Sequence, residues 1–292
     1  MRNTFKDTLI ALARADKDIV VITPDMGYGV LDAFSAEFPD RFFNVGIAEQ
    51  NAVGMAAGMA LRGKKPYVYS IIPFVTMRCF EQVRVDVAYM ETNVKLIGVG
   101  AGFEYGPLGA THHGTEDVSV MRALPNMVVC APGDTFEMEH TMLASAATHS
   151  PMYIRIGRHN DGVINTTGKF ELGRASIIED GTDIAVIATG NMMPDARRFA
   201  EKLKAGGKSV ALVSMHTIKP IDREVVLGFI NKGMEIHTLE EHNVVGALGS
   251  AVAEVIAESG KGVKFIRHGI PDKFSHYVGS QKYIKGKFGL NF

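Results

Sequence analysis

The chemistry available to this 292-residue chain is concentrated in a few side chains set among glycines and other small residues. Glu49 lies in Asn44-Val45-Gly46-Ile47-Ala48-Glu49-Gln50-Asn51, which runs straight into AVGMAAGMAL, and no other carboxylate falls in that run. Ala52, Val53, Met55, Ala56, Ala57, Met59, Ala60 and Leu61 cover every side of the helix predicted there, and a helix apolar all round is expected to be buried. Gly54 and Gly58, four apart, leave one side open to close approach by another backbone. A carboxylate at such an entrance costs free energy unless something binds it. The plain alternative is that Glu49 only favours the positive end of its helix.

His112 and His113 form a second centre, in a loop with Gly100, Gly102, Gly106, Gly109 and Gly114. A loop has little need of imidazoles for packing, and imidazole suits proton transfer or hydrogen bonding near neutral pH. Two solvated loop histidines are the bland reading. A metal set of His112, His113 and Glu116 matches no strong ligand spacing. Pro73-Phe74-Val75-Thr76-Met77-Arg78 follows a strand; Phe74 is either core or a flat ring for a planar ligand, and Arg78 is a cation on the substrate side. Arg155 and Arg158, in YIRIGRHN, are three apart and so point to different sides. Arg158 has the better position to grip phosphate or carboxylate, with a surface ion pair as the alternative.

Each of these groups needs an element to aim it. Residues 4–15 read as a helix with Phe5, Leu9, Ile10, Leu12 and Ala13 inward. The β-branched run 18–23 is a buried strand ending at the loop Pro24-Asp25-Met26-Gly27. A short strand at 42–45 leads into the Glu49 helix, strand 65–71 into a helix over 75–90, and strand 94–99 into the histidine loop. Strand 127–130, helix 134–147 and strand 152–156 follow. Strands alternating with helices predict an α/β fold, a parallel sheet between helices. Ligands then sit beyond the carboxyl ends of the strands, where the Asp25, Glu49 and His112 loops gather.

Periodicity weakens between Arg158 and Gly173. The expected division is a first domain over 1–160, a linker over 161–172 and a second α/β domain over 173–292. In the second, strands are predicted at 183–188, 209–213, 234–239 and 263–266, with helices at 194–205, 222–232 and 246–260. Thr217 to Asp222 and Leu239-Glu240-Glu241-His242 stand at its strand ends and read as interdomain contacts. The tail from Phe274 is basic and aromatic.

A composition of 46% hydrophobic and 22% charged residues fits a folded globular chain. The net charge of -1 argues against nucleic-acid binding. No apolar run reaches membrane-spanning length, and the acids among the first 18 residues speak against a secretory signal. Cys79 and Cys130 read as reduced core thiols of a cytoplasmic protein. A GxxxxGK[ST] phosphate loop, a strand-linked GxGxxG and a GxSxG nucleophile turn are all missing.

Four stretches taken together, VGIAEQNAVGMAAGMAL, KKPYVYSIIPFVTMRCFEQVRVDV, THHGTEDVSVMRALPNMVVCAPGD and YIRIGR, resemble the C-terminal part of transketolase, and are similar also to deoxyxylulose-phosphate synthase. TLEEHNVVGALGSAVAE resembles the last domain of these enzymes. The resemblance implies the pyrimidine-binding domain of thiamine diphosphate enzymes followed by the transketolase C-terminal domain. It implies that Glu49, the glutamate of the AEQ motif, hydrogen-bonds the aminopyrimidine and drives the tautomer that takes the thiazolium proton. It implies that Phe74, or its neighbour Val75, stacks on the pyrimidine, and that the Asp25-Met26 loop lies beside the cofactor. His112 matches the TH-motif histidine that contacts donor-sugar hydroxyls, with His113 next to it, and Arg158 matches a substrate-phosphate arginine.

Two departures stand out. Leu108 occupies the position of an aspartate four residues before the TH-motif histidine. The GDG motif and downstream Asn that hold diphosphate and Mg2+ in this family are missing with their whole domain. The chain starts at Met1 and is expected to be complete, hence one subunit of a split enzyme. An N-terminal partner subunit would supply the diphosphate-binding domain and hold Mg2+, with the cofactor between chains in a heterotetramer. The activity implied is two-carbon ketol transfer from a ketose phosphate to an aldose. The rivals are decarboxylation of a 2-oxo acid, as in deoxyxylulose-phosphate synthase or a 2-oxo-acid dehydrogenase beta subunit, and a non-catalytic stabilising or regulatory subunit.

Overall fold

The computed structural model describes residues 1–158 and 162–292. The expected boundary at 160/161 therefore lies outside the described residues. The first half of the chain runs α1 (Arg2–Ala15), β1 (Ile19–Thr23), α2 (Asp32–Glu37), β2 (Phe42–Asn44), α3 (Glu49–Leu61) and β3 (Lys65–Ile71). After β3 the chain winds through a π-helical turn, Phe74–Arg78, a short α4 (Phe80–Gln82) and a second π-helical stretch, Val83–Tyr89. Then come β4 (Lys95–Val99), α5 (Asp117–Ala123), β5 (Val128–Cys130), α6 (Thr135–Ala147) and β6 (Met152–Ile156). The helix expected over 75–90 is thus present but widened in two places, a form that is frequent at functional sites.

β1 is Ile-Val-Val-Ile-Thr and buried at every position, as a strand covered on both faces must be. Its sheet runs β5-β6-β4-β3-β1-β2, all parallel. Phe5, Leu9, Phe34, Met138 and Met142 cover one face from α1, α2 and α6. Val53, Ala56, Val83, Val87, Val118 and Met121 cover the other.

The second half runs β7 (Ser176–Glu179), β8 (Ile184–Ala188), α7 (Met193–Ala205), β9 (Val210–Ser214), β10 (Thr217–Lys219), α8 (Arg223–Asn231), β11 (Glu235–Asn243), α9 (Leu248–Glu258), β12 (Phe265–Ile270) and α10 (Gln281–Lys287). Its sheet has the order β12-β11-β8-β9-β7, parallel except for β7. β10 leaves that sheet and pairs antiparallel with β5, placing Thr217 opposite Cys130. Both sheets are therefore mixed, each through one short edge strand whose few residues give no readable alternation.

α3 corrects one expectation. Ala52, Val53, Ala56 and Ala57 are buried, but Gly58 is exposed, Leu61 is 64% exposed, and Met55, Met59 and Ala60 are half-buried. A Cβ built at Gly54 or Gly58 would meet nothing within 4 Å. Apolar residues on all sides bury a helix only where something covers all sides, and in this chain one side is open.

The strand ends of the second half dock onto the first. Within the second half, Leu248 and Gly249 at the start of α9 donate their N–H groups to the buried Glu240 at 2.8 and 2.9 Å. Val118, in the first turn of α5, donates to His242 Nε2 at 3.2 Å, while Nδ1 faces the Asn243 carbonyl at 2.8 Å. That pattern requires a neutral ring carrying its proton on Nδ1. Burial pushes His242 down to about 4, against the opposing pull of Asp117. The unfolded chain takes up this proton below the ordinary histidine value of 6.5 and the folded chain does not until about 4. The stabilisation is therefore whole above 6.5 and lost as pH falls towards 4. Glu240, raised to about 7 by burial, acts in the opposite direction between 4.5 and 7. His242→Gln is expected to flatten the fall in urea midpoint between pH 6.5 and 4.5; an unchanged slope would remove His242 from this role.

Candidate active site

Glu49 is the first residue of α3, and its side chain is buried at the carboxyl edge of the first sheet. Arg78 reaches it from the π-helical turn: Nη1 donates to both carboxylate oxygens, at 3.1 and 3.0 Å. The same guanidinium lies over the Phe74 ring, 4.1 Å from its centroid. Residues 74 and 78, four apart in this turn, are neighbours on one face. Val75, the alternative to Phe74, is wholly buried in the core.

Phe74 is half-buried, and His112 stands edge-on to it at 5.1 Å between centroids. Thr111 Oγ1 meets His112 Nδ1 at 2.9 Å and fixes the ring. Partial burial, then the nearby Arg78 charge, hold His112 below the usual histidine value, so its ring is neutral around pH 7. Tyr105 lies edge-on to His112 at 6.2 Å, and Arg158 sits over Tyr105 at 4.5 Å. Glu49, Arg78, Phe74, His112, Tyr105 and Arg158 thus form one continuous run of contacts.

Asp25 is joined to this edge through the backbone. Its N–H donates to Asn44 Oδ1 at 3.0 Å, and Gly46 N–H donates to the same oxygen at 3.0 Å. Asn44 thereby ties the loop after β1 to the loop that delivers Glu49. Asp25 Oδ1 accepts from Asn44 Nδ2 and from the Tyr28 hydroxyl, each at 3.1 Å. Met26 is half-buried, and its carbonyl accepts from Thr23 Oγ1 at 2.7 Å.

His113 turns away from its neighbour. It is 3% exposed and edge-on to Phe103 at 5.0 Å, so the adjacent imidazoles do not share a face. Arg155 likewise enters the core, paired with Asp117 at 2.9 Å, while Arg158 stays exposed with its N–H donating to Glu104 at 2.8 Å. Tyr105, Thr111 and Asn44 were not singled out from the sequence. For Tyr105 a signal existed: an aromatic residue inside a glycine-rich loop that also carries histidines.

The Glu49–Phe74 pair already accepts a flat group, since Arg78 offers N–H donors to the carboxylate and a planar cation to the ring. This acceptor and ring face fit an aminopyrimidine, which presents N–H and ring face together. Among the described residues, no three His, Cys, Asp or Glu side chains converge to hold a metal ion.

Residues 1–162 match the transketolase pyrimidine binding domain, and residues 173–289 match the transketolase C-terminal domain. The chain belongs to the transketolase family. A Methanocaldococcus jannaschii protein bearing a transketolase C-terminal-section name is 41% identical over 296 residues, covering 100% of this chain and 92% of its own. An apulose-4-phosphate transketolase subunit of Phocaeicola vulgatus is 39% identical, over 99% of this chain and 93% of its own. A solved split gene transketolase, described as an inactive beta4 tetramer, superposes with a TM-score of 0.91 at 35% identity, over 99% of this chain and 93% of its own. This chain is accordingly a transketolase-type transferase chain, and its family uses thiamine diphosphate.

Proposed function

We propose that this chain is the subunit of a split transketolase that supplies the pyrimidine half of the cofactor site. The observation that carries it is the Glu49–Arg78–Phe74–His112 contact run at the carboxyl edge of the first sheet. The N-terminal partner subunit would hold the diphosphate and Mg2+. The open side of α3, with Gly54 and Gly58 bare, suits close contact with another subunit in a heterotetramer. Among the described residues no helix is long and apolar enough to cross a membrane, and the two buried free cysteines fit the cytoplasm.

Thiamine diphosphate, when bound, supplies the electron sink for breaking and making carbon–carbon bonds. The residues of this chain do the rest. Glu49 holds a proton at the pyrimidine nitrogen, Phe74 carries the ring, and Asp25 and Met26 border it. His112, neutral, offers a hydrogen bond to the hydroxyls of a ketose phosphate, and Arg158 stands where an anionic end would be gripped. His113 belongs to the packing beneath this surface.

The ligand pair Glu49 and Phe74 is engaged by Arg78, so Arg78 must leave both for them to take the pyrimidine; once free, it can serve the substrate anion. Arg78→Met is expected to tighten thiamine diphosphate binding at least fivefold, because it removes a cation–π contact worth ~1 kcal/mol together with the pairing to Glu49. The KM for sugar phosphate is expected to rise. Calorimetry on the chain mixed with its partner reads the first effect, and weaker cofactor binding would sink the displacement idea.

The deciding experiment for the function mixes this chain with the partner, thiamine diphosphate, Mg2+ and a panel of ketose phosphates, aldoses and pyruvate. Ketol transfer supports the reading. Carbon dioxide release from pyruvate in place of transfer would overturn it in favour of 2-oxo-acid decarboxylation. No turnover with tight assembly would favour a stabilising role.

A further inference from the structure

The histidine loop is closed at its neck by a pair of main-chain hydrogen bonds, Gly102 N–H to Gly114 O and Gly114 N–H to Gly102 O, both 2.9 Å. Two groups hold that neck from below. Arg155 donates to the Gly114 carbonyl at 2.6 Å and, through the same nitrogen, to the Glu241 carbonyl at 3.0 Å. Glu241, at the end of β11, sends its carboxylate across the domain interface to accept the Phe103 N–H at 2.8 Å. Its other oxygen accepts from Gln281 Nε2 at 2.8 Å and from Asn191 Nδ2.

This fit leaves no slack. Gly102 has φ +59°, and a Cβ there would lie 2.4 Å from the Glu241 carboxyl carbon. Phe103, whose N–H Glu241 holds, stacks with Phe288 at 5.4 Å and meets the His113 ring edge-on. The loop therefore has a fixed base from which residues 104–111 carry His112 up to Phe74. Glu241 is 1% exposed, so it reaches no ligand itself. A buried carboxylate is retained here with N–H donors on both oxygens, which is how such a group is tolerated.

We propose that Glu241, from the second domain, is a positioning residue: its carboxylate fixes the neck of the histidine loop and thereby sets His112 against Phe74. The inference rests on the function proposed above, because it gives His112 a substrate to meet. It assigns the second domain a part in the site that none of its residues touches directly.

Glu241→Gln tests it. The amide keeps the shape, but its single oxygen can accept either from the Phe103 N–H or from Asn191 and Gln281, so the NH2 group faces a donor on one side and the clamp is weakened. Amide hydrogen exchange over residues 101–114 is expected to speed at least tenfold in the assembled enzyme, with α3 unchanged. The kcat/KM for ketol transfer is expected to fall tenfold or more. The double variant Glu241→Gln/His112→Ala is expected to be no slower than His112→Ala alone, because one acts through the other. Unchanged exchange, or losses that multiply in the double variant, would overturn the proposal. Should Glu241→Gln fail to assemble, Asn191→Ala, which removes a donor from the same carboxylate, goes through the same cycle. If the wild-type assembly shows no ketol transfer the functional reading falls, and the exchange measurement still decides the clamp.

Discussion

Glu49→Gln in the reconstituted enzyme is expected to lower kcat by about 100- to 10,000-fold, the range that a positioned proton-transfer group contributes. The change keeps side-chain size and removes the charge together with the ability to hold and release a proton. Arg78 would lose a charge-assisted bond worth roughly 1.5–3 kcal/mol, yet its contact with Phe74 remains. Folding and partner assembly should therefore survive, and cofactor binding should weaken far less than turnover falls. Steady-state kinetics beside calorimetry separates the two. Turnover within threefold of wild type would remove Glu49 from the proposed role.

Arg155→Met should have the largest effect on stability, about 3–5 kcal/mol, because it leaves Asp117 charged and buried without its cation. Asp117 is 0% exposed, and its Oδ2 accepts from Arg155 at 2.9 Å and from the Tyr153 hydroxyl at 2.6 Å. Tyr153 alone cannot neutralise it. The same arginine donates to Gly114 and Glu241, so the histidine loop and the domain contact loosen together. Removing both charges, in Arg155→Met/Asp117→Leu, is expected to recover much of the loss. Urea unfolding at pH 7 reads both variants; a single-variant cost under about 1 kcal/mol would show that the pair is not the anchor that its burial suggests.

Much of this architecture was legible in the chain. The β-branched run of β1 and the apolar run of β8 mark buried parallel strands because both faces must be covered. The loops after β1, β2 and β4 carry Asp25, Glu49 and His112 because a parallel sheet brings those ends to one edge. Legibility stopped where partners are distant. The spacing of Arg155 and Arg158 separates their sides, but the partner that holds Arg155 in the core, Asp117, lies 38 positions away. His112 and His113 are adjacent, yet a single step along the loop turns one towards Phe74 and the other under Phe103. Arg78 reads as a substrate cation, and the π turn that swings it onto Glu49 has no signature in composition. The pattern of α3 reports total burial, whereas one chain supplies cover for only part of it.

β10 carries a consequence for how this chain can be divided. The edge of β5 is satisfied by three residues that arrive almost ninety positions later, on the far side of the expected linker. A chain cut after the first domain would keep the loops that carry Asp25, Glu49 and His112 but bare the backbone of β5 as an unpaired edge, the kind of surface on which strands of other molecules add. Solubility of the first domain is in this sense a gift of the second, and a gene fragment ending near residue 170 would encode an aggregation-prone product rather than a small working module.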